Sequence, residues 1–184
     1  MKIIKYTAIF FFAVFIGGVG FIYSGIYSMG ADVPHNKLTY WVLETLREQS
    51  ISRAVKGIVP PNNLSDPDRL LAGGADYNDM CASCHLKPGK VQSDFSMGLY
   101  PKPPNLSKKN DEHGHSHELS EAETASRQFW IIKHGIKASG MPAWGPGHDD
   151  ERIWSMVAFL QRLPDLNAEQ YQIITAREQS NEHD

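Results

Sequence analysis

The 184-residue sequence predicts an all-α fold, one N-terminal apolar helix followed by a small helical domain. Three observations predict it. Beyond residue 37 apolar residues recur at helical spacing. Helix-start signals stand at Ser65-Asp66-Pro67-Asp68, at Ser120-Glu121-Ala122-Glu123 and at Asp149. No segment alternates apolar with polar residues well enough for a strand.

The first element follows from charge and length. Lys2 and Lys5 precede a run from Tyr6 to Tyr27 with no charged residue. As a helix rising about 1.5 Å per residue, that run spans roughly 33 Å, enough to cross a bilayer core. A cleaved secretory signal is the rival reading, with Gly18-Val19-Gly20 or Ser28-Met29-Gly30 as the processing site. Its apolar region is usually about 7–15 residues, shorter than this run, so a retained anchor is favoured. No Lys or Arg follows until Lys37. The positive-inside rule then leaves the N-terminus in the cytoplasm and everything past residue 30 outside. In a bacterium this means a single-pass inner-membrane protein facing the periplasm. The expected organisation is an anchor over 1–30, a helical linker or extension over 31–64, the main domain over 65–164, and a peripheral C-terminal helix and tail over 165–184.

In the extension, Leu38, Trp41, Val42, Thr45, Leu46 and Gln49 keep a helical period, continued by Ile51, Val55 and Ile58. One helix or two short ones are expected, ended by Gly57 and Pro60-Pro61. Arg47, Arg53 and Lys56 read as its solvated face, in preference to contacts with anionic cofactor groups. A helix from Ser65-Asp66-Pro67 runs through Leu70 and Tyr77. Residues 86–110 are rich in Pro, Gly, Lys and Ser and read as a long loop. The next helix carries Phe129, Trp130 and Ile132 and ends at Gly135, and another runs from Asp149 to Arg162 with Pro164 beyond it. A weaker helix over 167–179 is expected at the periphery. Outside the anchor, 18 − 2 = 16 basic residues face 21 acidic ones. That balance suggests neither nucleic acid nor an anionic membrane surface as a partner.

The chemistry centres on Cys81-Ala82-Ser83-Cys84-His85. C-x-x-C-H is the attachment signature of a c-type haem. Two thiols three positions apart share one side of a helical turn and reach two vinyl groups of one porphyrin, and the following His becomes the proximal iron ligand. These are the only two cysteines, so no disulfide competes and one covalent haem is the limit. A thioredoxin-like pair would follow a strand, and a zinc site would need two further Cys or His at ligand spacing. Neither pattern is present. For the far side of the iron, Met141 lies in the Gly/Pro-bounded stretch Gly135-Ile136-Lys137-Ala138-Ser139-Gly140-Met141-Pro142-Ala143-Trp144-Gly145. Thioether is a soft neutral ligand, so His/Met ligation raises the potential relative to His/His. Met97, His134 and an open site stay as alternatives.

With these residues in place, the chain resembles class I cytochromes c, especially bacterial membrane-anchored single-haem members, over roughly residues 66–164. The resemblance rests on Gly73 and Tyr77, eight and four residues before the first Cys, and on Met156 and Phe159 in the last domain helix. It also rests on Pro104-Asn105-Leu106 and on Met141-Pro142-Ala143-Trp144-Gly145. It implies the class I cytochrome c fold, three core helices around a covalent haem. It implies that the Gly73 helix crosses the Met156/Phe159 helix, and that the Pro104 carbonyl accepts the His85 Nδ1–H and orients the ring. Tyr77 and Trp144, with Trp130 and Phe159, are expected to pack the haem or the helix crossing. The segment Asp111-Glu112-His113-Gly114-His115-Ser116-His117-Glu118 departs from the pattern and looks like an insertion. Its histidines suit Zn(II), Cu(II) or Ni(II), but read first as part of a solvated acidic loop.

Residues and resemblance together imply electron transfer rather than catalysis. One haem c is held by Cys81 and Cys84, ligated by His85 and Met141, and cycles between Fe(III) and Fe(II). It would exchange electrons with donor and acceptor proteins or within a membrane redox complex. The alternative is a haem-based sensor or enzyme in which Met141 dissociates to open the sixth site. A copper-handling role for the His113–His117 loop is a third reading.

Overall fold

The structure is a computed structural model that describes residues 2–108 and 119–176. It is helical, with no strand among the described residues. The chain divides into two compact units, Met1–Pro34 and His35–Asp184.

The first unit is built on α1 (Lys2–Ser24), whose side chains are not buried within the protein. It is long and apolar enough to cross a membrane. The helix stops three residues short of the end of the uncharged run because Gly25 takes φ +66°, a left-handed turn that breaks the ladder.

In the second unit α2 (Lys37–Ala54) is one continuous helix, capped where the Asn36 side chain accepts from Thr39 N–H and followed by Gly57 at φ +91°. Ile51 is its buried residue. The segment after it is tied to α6 (Glu121–His134) by the Ser126 hydroxyl, which donates to Ile58 O at 2.9 Å. Asp66 caps α3 (Pro67–Asp76), with Pro67 in the first turn where no N–H is needed. α3 runs into a π-helical turn, Tyr77–Cys81, and then α4 (Ala82–His85). A short helix, α5 (Asp94–Gly98), interrupts the expected long loop; Ser93 and Ser96 cap it reciprocally. α6 starts in a Ser120/Glu123 capping box and ends at Gly135. α7 (Asp150–Arg162) is capped by Asp149 and buries an unbroken run from Ile153 to Leu160. Such all-round burial marks a central helix. A 3₁₀ turn, Leu163–Asp165, leads to α8 (Ala168–Thr175).

The core forms where α3 crosses α7. A Cβ on Gly73 would lie 1.8 Å from Ser155 O, so only glycine lets the two backbones meet. Tyr77 packs on Phe159 with centroids 5.3 Å apart, and Phe129 stacks on Trp154 at 4.1 Å. Arg152 closes the crossing with two hydrogen bonds to the Asp76 carboxylate, at 2.6 and 2.8 Å.

The C-terminal helix corrects one expectation. It is not peripheral: Tyr171 on α8 is 2% exposed, lies 6.3 Å from Tyr77 and 6.1 Å from Phe159, and donates its hydroxyl to Asn78. Burying a large aromatic is worth roughly 2–3 kcal/mol, which holds the helix on the core.

Candidate functional site

Cys81 closes the π turn, and Cys84 and His85 sit on α4. In that turn the Ala82 N–H bonds to Tyr77 O, one residue beyond α-helical register. π-bulges are frequent at functional sites because they re-aim side chains. Both thiols are free and half-buried. Burial, with Asp76 and Cys84 adding to it, pushes the Cys81 thiol up to about 12, so it is a neutral S–H at ordinary pH.

His85 is held at two points. Its Nδ1–H donates to Pro104 O at 3.0 Å, and Leu106 N–H donates to His85 O at 3.1 Å. The first bond fixes the tautomer and leaves Nε2 as the lone-pair nitrogen. Burial holds the imidazole below its usual pKa, partly opposed by the Pro104 bond. A neutral ring with one free nitrogen is the form that binds a metal.

The turn closes on strained backbone. Leu86 takes φ +67° and ψ −179°, a region that is essentially glycine's and costs about 1–3 kcal/mol. Its N–H bonds to Ala82 O, and the buried Tyr77 hydroxyl donates to its carbonyl at 2.6 Å. Tyr77 thus stands in the helix crossing while its hydroxyl clamps the residue after His85. On the other side of the turn, the Ser93 hydroxyl at the start of α5 donates to Ser83 O.

Met141 stands on a tightly tied loop. Gly135 takes φ +64°, and a Cβ there would lie 2.8 Å from Met141 O. Ile136 N–H donates to Met141 O at 3.1 Å, and Met141 N–H to the Ser139 hydroxyl at 3.1 Å. Trp144 and Gly145 N–H bond back to Ile132 O and Lys133 O at the end of α6. Cys81, Leu106, Met141 and Trp144 are brought together as half-buried side chains against one core cluster.

The other candidates lie elsewhere. Met97 is 57% exposed on α5, and Met156 is in the core. His134 is exposed and packs at a tilt against Trp130, with centroids 4.9 Å apart. Arg47 is engaged with Glu44 and Glu48 of its own helix. The His113, His115 and His117 segment lies outside the described residues. Among the described residues no group of three or more His, Cys, Asp or Glu is placed to hold a metal ion.

Two features of the site were not visible in the sequence. Leucine carries no signal for a positive φ, so the strain at Leu86 was hidden. His148 read as a residue leading into a helix; its ring packs edge-on against Trp144 at 5.4 Å, with both nitrogens buried and unpartnered among the described residues.

The donor set fits a covalently attached haem: two free thiols at the required spacing, and a neutral imidazole oriented by a carbonyl. Fold and site together define a c-type cytochrome domain, a haem-based electron-transfer module. Residues 68–160, half of the chain, match the sequence profile of the family described as cytochrome C oxidase, cbb3-type, subunit III, and the chain belongs to that family. No curated protein and no solved structure matches it significantly.

Proposed function

We propose that the chain is a membrane-anchored c-type cytochrome with a single haem, carrying electrons between redox partners on the periplasmic face of a bacterial inner membrane. The observation that carries this reading is the His85–Pro104 hydrogen bond beside two free thiols. Cys81 and Cys84 would hold the porphyrin as thioethers. His85, with Nδ1–H engaged, would present Nε2 to the iron. Haem c supplies a one-electron Fe(III)/Fe(II) couple when bound.

Met141 is the proposed sixth ligand. Its loop is fixed by three backbone–backbone hydrogen bonds, from Ile136, Trp144 and Gly145, and by the Met141 N–H bond to the Ser139 hydroxyl, so little reorganisation would accompany a change of charge nearby. A thioether in that position favours Fe(II) and raises the potential. With His85 and Met141 both holding the iron, substrate would have no place at the metal. This argues for a carrier over a haem enzyme. Redox partners would meet the domain through a small, transient interface. Lys2 and Lys5 at the N-terminal end of α1 support the orientation.

Potentiometric titration tests the assignment. The wild-type chain should give a single one-electron wave, and Met141→His should lower its midpoint by roughly 0.1 V or more, within the ~0.8 V range that axial ligands span. An unchanged midpoint would remove Met141 from the iron.

A further inference from the structure

The outward face of α2 carries a row of exposed apolar side chains. Leu38, Trp41, Val42 and Leu46 are 69, 63, 47 and 66% exposed. At about 3.6 residues per turn, these four and Thr45 fall in one stripe narrower than half the helix circumference. The side carrying Glu44, Arg47 and Ile51 packs inward, with Glu48 at the stripe's edge beside Trp41; Tyr40 and Leu43, 45 and 44% exposed, lie outside the stripe. Ile51 is buried, and Glu48 pairs with Arg127 of α6 at 2.6 Å. Single exposed leucines are ordinary on a protein surface, but a contiguous apolar stripe with a tryptophan marks an interaction site. Further along, the same face turns polar and basic, where Gln49, Ser52, Arg53 and Lys56 line a shallow depression.

Chain connectivity names the occupant. α1 ends at Ser24 and α2 begins at Lys37. The twelve residues between them, 25–36, reach at most about 40 Å when fully extended. A bilayer holding α1 is therefore within reach of the stripe at all times. The grading from apolar side chains and an amphipathic indole to basic residues also matches a lipid interface, where acyl chains give way to phosphates. The overall negative charge of the chain gave no hint of this, because the basic residues are placed locally.

We propose that the Leu38–Leu46 face of α2 rests in the headgroup–acyl boundary of the bilayer that anchors the chain, with Arg53 and Lys56 directed to lipid phosphates. The proposal rests on reading α1 as a retained anchor. Lipid contact along α2 fixes how the cytochrome domain is presented above the membrane, so that redox partners meet a defined face.

Photocrosslinking tests it on the full chain in nanodiscs of mixed phosphatidylcholine and phosphatidylglycerol. A benzophenone amino acid replaces Leu46, Ile16 within α1, or exposed Lys102, and adducts are read by mass spectrometry. The expected result is phospholipid adducts at position 46 at a yield severalfold above position 102 and comparable to position 16. Adducts at 16 with none above the position 102 level at 46 would overturn the interfacial helix and leave the anchor standing. Crosslinks from 46 to a second copy of the chain would overturn it in favour of self-association. Absence of lipid adducts at both 16 and 46 would remove the anchor and the proposal with it.

Discussion

Gly73 and Ser155 meet backbone to backbone. A Cβ on Gly73 would stand 1.8 Å from Ser155 O and 2.9 Å from Met156 N, so the α3–α7 crossing has no room for any side chain. Both neighbours are main-chain atoms of a helix buried through eight consecutive residues, and neither can swing aside as a flexible side chain would. Gly73→Ala should therefore force the helices apart and destabilise the fold by about 3 kcal/mol or more, at or beyond the upper end of ordinary overpacking. Thermal unfolding followed by far-ultraviolet circular dichroism checks this. Wild-type stability would contradict the close crossing.

Tyr77 links the core to the haem turn through one atom. Its ring is 1% exposed in the crossing, and its hydroxyl donates to the carbonyl of strained Leu86. Tyr77→Phe keeps the packing and removes the clamp, leaving a buried carbonyl without that donor. The expected cost is about 1–3 kcal/mol, read as a lower denaturation midpoint. Proteolysis near residues 86–90 should also be faster in the variant, because the strain at Leu86 is then held by fewer bonds.

Tyr171 gives the domain an alkaline limit. In the haem-free chain burial, followed by Cys81 and Asp79, pushes its hydroxyl from 10.0 to about 12. Between those values the folded chain retains a proton that the unfolded chain has released. Stability therefore falls as pH rises from about 10 to about 12, and this group contributes no slope below that window. Tyr171→Phe should flatten part of the decline, measured as the denaturation midpoint against pH. Burial also pushes Tyr77 upward, so some alkaline loss should remain in the variant.

The parts of this architecture that sequence revealed are those carried by residue types with few uses. Asp66-Pro67, Ser120/Glu123 and Asp149 cap helices in the structure as their chemistry requires. Glycine at 73 and aromatics at 77 and 159 placed the crossing through family resemblance. What stayed hidden depends on tertiary context. α5 is too short to show a period, and its cap partner is Ser96 rather than the usual Glu or Gln. α8 has only Tyr171 and Thr175 fully buried, while Ile173 is exposed, so its apolar residues did not mark its inner face. At Leu86, a residue type that avoids positive φ is held there by the Tyr77 hydroxyl and Ala82 O. The site divides the same way. Cys81, Cys84 and His85 stood out by their spacing as candidates, while the packing of His148 against Trp144 needed coordinates.

In the proposed carrier, His85 and Met141 would together hold the haem iron and leave no position open to a small ligand. The most direct measurement is the optical spectrum of the reduced, haem-loaded full-length protein before and after carbon monoxide is added. The wild-type spectrum should stay unchanged, and Met141→Ala, with the Met141 thioether removed, should bind carbon monoxide. Ready binding by the wild-type protein would contradict the closed site and make the chain a sensor or an enzyme instead of a carrier.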